Sequence, residues 1–140
     1  MTGISVVIPA YNAGATLGDC LAALGHQVDL PAPFEVLVVD DGSRDGTPAV
    51  ARQAQADLSP AMPMAAPLPL PQVRLLQQPR AGPATARNRG IQAARGQLIF
   101  FLDADCVPAS DWLAAFFALA KSTHARRPVH AESGSQAHHP

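Results

Sequence analysis

The chain has little cysteine. Only Cys20 and Cys106 occur among its 140 residues, at no zinc-binding spacing and in no C-x-x-C pair. That pattern fits a reduced, cytoplasmic chain. Charge of one sign is also missing. The formal net charge is −1, with no basic stripe and no interleaving of aromatic and basic residues, so nothing points to nucleic acid as a partner. The N-terminus "MTGISVVIPAYN" lacks the basic start and long apolar run of a signal peptide. The longest unbroken apolar run, "WLAAFFALA", is far short of the roughly 20 residues that cross a bilayer. No membrane-spanning segment is therefore expected, and at most a peripheral place at the inner face of the membrane. Nor does a G-x-G-x-x-G follow the first apolar run, where "PAYNAG" stands instead, so a dinucleotide-binding oxidoreductase lacks its fingerprint.

What is present is a globular composition. With 48% apolar and 15% charged residues, the chain can bury a core and is not disordered. "ISVVIPA" is a β-branched run that reads as a strand buried on both faces. "GATLGDCLAALGHQ" spaces Leu17, Cys20, Leu21 and Leu24 as one helical face, with Thr16 and Asp19 as a capping box. "FEVLVVDDGS" is a second strand. In "RDGTPAVARQAQA", Thr47 suits an N-cap and Pro48 a first helical position. "VRLLQQ" is a third strand. "GPATARNRGIQAARG" reads as a helix opened by Pro83 and stopped by Gly96. "QLIFFLDAD" is a fourth strand. "PASDWLAAFFALAKS" is a helix with Ser110 as N-cap and Leu113, Phe116, Phe117 and Ala120 on its buried face.

Apolar strands alternating with helices predict an α/β fold, a Rossmann-like parallel sheet with helices on both faces, over residues 1–122. The proline-rich stretch over 58–71 reads as an extended surface insertion, and the polar, aperiodic stretch over 123–140 as a disordered tail.

Ligands on such sheets bind outside the carboxyl ends of the strands. "AYN", "DDGS" and "DAD" all follow strand ends, which puts them on one rim. Asp103 and Asp105 at the end of "LIFFLDADCVP" are either loop caps for backbone amides or ligands for a divalent cation. Hard carboxylate oxygens suit Mg2+ or Mn2+. Asp40 and Asp41 alternate to opposite sides, so at most one faces a ligand; Asp-Gly-Ser is also ordinary turn chemistry. Tyr11 and Asn12 form either a plain surface loop or an aromatic face for a nucleobase, which is worth about 1–3 kcal/mol where tested. Arg80, Arg87 and Arg89 surround a helix start. They read as a solvated basic face, with Arg87 also suited to phosphate and Arg95 simply exposed.

"VVIPAYNAGATLGDCLAAL", "FEVLVVDDGSRDGT" and "RAGPATARNRGIQAARGQLIFFLDADCVP", in that order, resemble the nucleotide-sugar-binding half of family-2 glycosyltransferases of the GT-A fold. The likeness runs from Ile4 to about Lys121 outside the proline-rich stretch. It implies a nucleoside-diphosphate sugar as donor, with transfer that needs a metal and inverts the anomeric centre. Pro9, Tyr11 and Asn12 would lie in the loop that cradles the base, and Asp41 would hydrogen-bond it. Arg87 and Asn88 would help to close the donor site. Asp103 would contact the ribose or the metal, and Asp105 the metal.

The resemblance also implies a catalytic base and an acceptor-binding region C-terminal to "DAD". After Asp105 the sequence offers Asp111, read as a helix-dipole residue, and Glu132 in the aperiodic tail. The chain therefore reads as truncated, with no nameable base, an acceptor of unknown kind (saccharide, lipid-linked or other) and a sheet edge open to self-association. The competing reading is a non-catalytic nucleotide-binding module that works with a partner chain.

Overall fold

The apolar runs Ile4–Ala10 (β1), Phe34–Asp40 (β2), Gln72–Gln77 (β3) and Leu98–Phe101 (β4) lie side by side as parallel strands in the order β3-β2-β1-β4. Between and after them run α1 (Leu17–Gly25), α2 (Thr47–Leu58), α3 (Pro83–Ala93) and α4 (Trp112–Ser122). The computed structural model describes residues 3–58 and 72–122. The expected insertion, but for its first residue, and the tail over 123–140 lie outside the described residues.

Side-chain alternation along the strands divides the core into two layers. Ile4, Val6, Ile8, Val36, Val38 and Phe100 face one way, onto Leu17, Cys20, Leu21 and Leu24 of α1, Ala51 of α2 and Leu113 of α4. Val7, Leu37 and Val39 face the other way, onto Ala86 of α3. Helices thus cover both faces, as the continuous apolar runs require. Full burial of each such aliphatic side chain contributes about 1.5–3 kcal/mol. The amino-terminal half of α4 is tied to β4 by aromatic edges: the Phe100 ring centroid lies 6.0 Å from those of both Trp112 and Phe116, which are 5.4 Å apart. Leu113 and Ala120 are buried and Phe116 and Phe117 half-buried, on the expected face.

Pro9 sits in a central strand, where a proline would usually cost a ladder bond. It pairs with Val39 of β2, but β4 reaches β1 only as far as Val7. Val7 turns its carbonyl to the β4 side, where Leu102 N–H donates to it. Pro9, two residues on, turns its nitrogen to that same side, where the β1–β4 pairing has already ended.

Four expected helix ends are made differently. Thr16 forms no side-chain cap; its hydroxyl donates to the Ala13 carbonyl at 3.4 Å. At α2 the first helical bond runs from Val50 N–H to the Gly46 carbonyl, which makes Gly46 the N-cap and puts Thr47 inside the first turn. There Asp45 accepts from Thr47 N–H at 2.9 Å and from its hydroxyl. Ser110 does not cap α4, which begins at Trp112; its carbonyl instead accepts from Val28 N–H at 2.8 Å. The cap comes from outside the helix: Gln27 Oε1 accepts from Leu113 N–H at 2.9 Å. Last, α3 ends at Ala93, and Gly96 serves a different need. A Cβ there would lie 2.7 Å from Ile4 C and Ser5 N, so the glycine lets the turn into β4 lie against the backbone of β1.

At the amino ends of the strands, Glu35 is buried in a network that the apolar reading of "FEVLVV" hides. Its carboxylate accepts from the Ser5 hydroxyl at 2.7 Å, Arg95 N–H at 2.8 Å and Arg74 at 3.0 Å. Arg74 also donates to the Ala93 carbonyl, and Gly96 N–H donates to Ser5 Oγ. This network ties β1, β2, β3 and the end of α3 together, opposite the rim that carries the candidate site.

Candidate functional site

Because all four strands are parallel, Tyr11–Asn12, Asp40–Ser43 and Asp103–Asp105 emerge at one rim. The central feature is Asp41. Its carboxylate is buried and accepts four hydrogen bonds: from Gln78 Nε2 at 3.0 Å, Arg80 at 3.0 Å, Ala81 N–H at 2.7 Å and Gly82 N–H at 3.0 Å. Burial alone would raise its pKa. The donors from Gln78, Ala81 and Gly82 and the charge of Arg80 outweigh burial and hold it below the usual carboxylate range. Asp41 therefore anchors the loop that leads from β3 into α3. Gly42 permits the approach: its φ is +77°, and a Cβ there would stand 2.7 Å from Arg80 N. Asp40 points to the opposite side of the sheet, as alternation predicts. It is also buried, with Oδ2 accepting from Ser43 N–H at 3.3 Å and Oδ1 without a partner.

The loops after β1 and β2 are clamped to each other. Asn12 N–H donates to Ser43 Oγ at 2.7 Å, and Asn12 Oδ1 accepts from Arg44 N–H at 2.8 Å. Ala13 N–H donates to Thr47 Oγ1 at 2.8 Å, and Gly14 N–H to Asp45 Oδ2 at 2.9 Å. Asn12 adopts φ +51°, a conformation asparagine tolerates better than most residues. Its side-chain oxygen is thus committed to the clamp. Asp45 is the other half of it.

The clamp presents Tyr11 at the surface, 41% exposed. The guanidinium carbon of Arg80 lies 3.5 Å from the centroid of its ring. Pro9 lies half-buried two residues before it.

Asp103 and Asp105 stand exposed past the end of β4, with Cys106 beside them; one ligand atom from each of the three lies within 4.8 Å of the others. Among the described residues no cation pairs with either carboxylate. The turn is set by its backbone: the Asp103 carbonyl accepts from Cys106 N–H at 3.0 Å and from the Cys20 thiol at 3.8 Å. Burial, with the nearby charges of Cys106, Asp105 and Asp103, pushes the Cys20 thiol up to about 12, so it stays protonated in the core. Two open carboxylates on a rigid turn fit a hard divalent cation with positions left for phosphate oxygens. Arg87 and Asn88 lie exposed on α3, and Arg89 donates to the Gln77 carbonyl at 3.3 Å. Arg95 is exposed as expected, though its backbone N–H serves Glu35.

Sequence reasoning missed Gln78 as a partner of Asp41 and placed Arg80 only on a solvated face. The signal for a loop anchor was the buried register of "DD" at a strand end, which requires donors from somewhere.

Known proteins resemble this chain in sequence and fold. The profile of Glycosyl transferase family 2 matches residues 5–131. Glycosyltransferase AglE of Haloferax volcanii is 38% identical over 113 residues, which cover 79% of this chain and 33% of AglE. TarS 1–349 of S. aureus, solved in complex with UDP-GlcNAc, superposes with a TM-score of 0.71 at 25% identity, over 89% of this chain and 32% of that one. The mannosyltransferase PcManGT of Pyrobaculum calidifontis, solved with GDP-Man and Mn2+, gives a TM-score of 0.62 at 30% identity, over 79% and 32%. The chain spans about a third of the length of these relatives. Its parallel sheet with flanking helices is that of the GT-A glycosyltransferases. With the sequence motifs in order on one rim and the profile covering almost the whole chain, the protein belongs to glycosyl transferase family 2.

Proposed function

We propose that this chain binds a nucleoside-diphosphate sugar across the rim, as the donor half of a metal-dependent, inverting glycosyltransferase. The observation that carries this reading is the pair of open carboxylates, Asp103 and Asp105, on the same rim as Tyr11 and the buried Asp41. The base lies against Tyr11, beside Pro9 and Asn12, within reach of the Asp41 loop. Arg87 and Asn88, exposed on α3, close over the diphosphate and sugar. Asp103 and Asp105 hold Mn2+ or Mg2+, and a cation held there would supply Lewis-acid stabilisation of the charge that grows on the departing diphosphate. Transfer forms a bond from an acceptor oxygen to the anomeric carbon as the bond from that carbon to the diphosphate breaks. The acceptor proton passes to a general base.

Among the described residues the only carboxylate after Asp105 is Asp111, at the start of α4. This favours a second reading, in which the chain binds the donor without turning it over and relies on another segment or chain for acceptor and base. The acceptor is a saccharide, a lipid-linked sugar or another hydroxyl compound. The absence of any helix long and apolar enough to cross a membrane, among the described residues, is compatible with a peripheral place at the inner face of the membrane.

A thermal-shift panel of nucleoside diphosphates tests the shared claim. UDP or GDP is expected to raise the melting temperature, and to raise it further with Mn2+. No shift with any nucleotide would remove the donor site. Release of nucleoside diphosphate from a donor sugar then separates the active enzyme from the binding module.

A further inference from the structure

We infer that Arg80 is an internal occupant of the base position and that a nucleotide must displace it to bind. This deepens the donor-site reading and rests on it. The guanidinium is planar. Its central carbon lies over the Tyr11 ring, 3.5 Å from the centroid, and one of its N–H groups donates to Asp41 Oδ2 at 3.0 Å. Stacking on the aromatic face and giving an N–H to the buried carboxylate are the two contacts that a uracil or guanine ring would make there.

The four donors to Asp41 are not equivalent. Ala81 and Gly82 donate from the backbone, and Gln78 is buried. The Arg80 side chain is 52% exposed. It can leave without unfolding anything, and its departure frees one lone pair on Oδ2 and one face of Tyr11 together. Asp41 stays buried and held by three donors throughout. The arginine thus keeps an anionic, aromatic-lined position satisfied until a ring with its own N–H donor takes its place. A cytosine or adenine ring, which turns an acceptor nitrogen toward that carboxylate, is a poor replacement.

Two measurements on the full chain test this. Tyr11 is the only tyrosine, so ring-labelled tyrosine gives NMR signals from this site alone. In nucleotide-free protein, Arg80→Ala is expected to move the Tyr11 ring signals, because the guanidinium leaves its face. Calorimetric titration is then expected to show UDP or GDP binding about three- to tenfold tighter to Arg80→Ala than to wild type, because the competent state is no longer a minor fraction. Arg80→Lys, which keeps the charge but not the planar group, should fall between them. Unmoved Tyr11 signals overturn the occupancy whatever the nucleotides do. Weaker or equal binding by Arg80→Ala overturns the competition and makes Arg80 a contact or a bystander. Moved Tyr11 signals with no binding of UDP or GDP by either protein overturn the donor-site reading instead, and the competition with it.

Discussion

Asp41→Ala is expected to lower stability by about 2–4 kcal/mol, because buried donors lose an ionised acceptor, and to abolish nucleotide binding. The largest part comes from Gln78, a buried side chain left with no partner for its amide. Ala81 and Gly82 lose the acceptor that fixes their backbone, so the turn into α3 loosens. Arg80 contributes little to the loss, since its exposed half returns to water. Urea denaturation at neutral pH measures the stability term, and titration with UDP or GDP the binding term. Asp41→Asn should keep part of the stability, because an amide oxygen still accepts on one side. An Asp41→Ala chain as stable as wild type would show that the loop holds itself.

Glu35→Ala tests the opposite end of the sheet. The expected loss is about 2–3 kcal/mol, for Arg74 and two further donors stripped of a shared acceptor. Arg74 is partly exposed, which keeps the loss below that of a fully buried pair. The variant should also have a distinctive pH dependence. Burial would raise the pKa of Glu35, but the bonds from Ser5, Arg95 and Arg74 prevail and place it below its ordinary value of 4.5. A carboxylate with a depressed folded pKa contributes stability that is fully present above the unfolded value and is lost as pH falls through the folded one. The difference between wild type and Glu35→Ala should therefore be constant from neutral pH to about pH 5 and shrink below that. A difference that grows on acidification would contradict the network. Nucleotide binding should survive at temperatures where the variant is folded, since Glu35 lies at the far ends of the strands.

The two variants mark what the sequence does and does not display. Strand and helix order followed from Val6, Val7, Ile8 and their counterparts in β2, because parallel strands buried on both faces must be apolar throughout. The rim followed too, since polar residues at strand ends have only one place to go. What the sequence hid were the partners. Glu35 sits inside an apolar run, and its donors come from β1, β3 and the end of α3, up to 60 residues away. Arg80 looked like a solvated charge because its two partners, Tyr11 and Asp41, lie on other strands' loops. The cap of α4 was hidden for the same reason. Gln27 caps α4 from 86 residues away, which no local capping pattern can reveal. The acidic pair at Asp103 and Asp105 was legible as a pair, and the structure leaves both residues exposed on the rim.

The central claim is a cation held by Asp103 and Asp105 for the sake of a nucleoside diphosphate. Calorimetric titration of UDP and GDP into the chain, with Mn2+ and with chelator, compared between wild type and Asp105→Asn, tests it most directly. Asp105 is exposed, so the variant should melt with the wild type. Wild type is expected to bind about tenfold or more tightly with Mn2+ than without, and Asp105→Asn to lose that gain while keeping its metal-free affinity, because a site short of a carboxylate no longer holds the ion. An undiminished Mn2+ gain in Asp105→Asn would contradict the account.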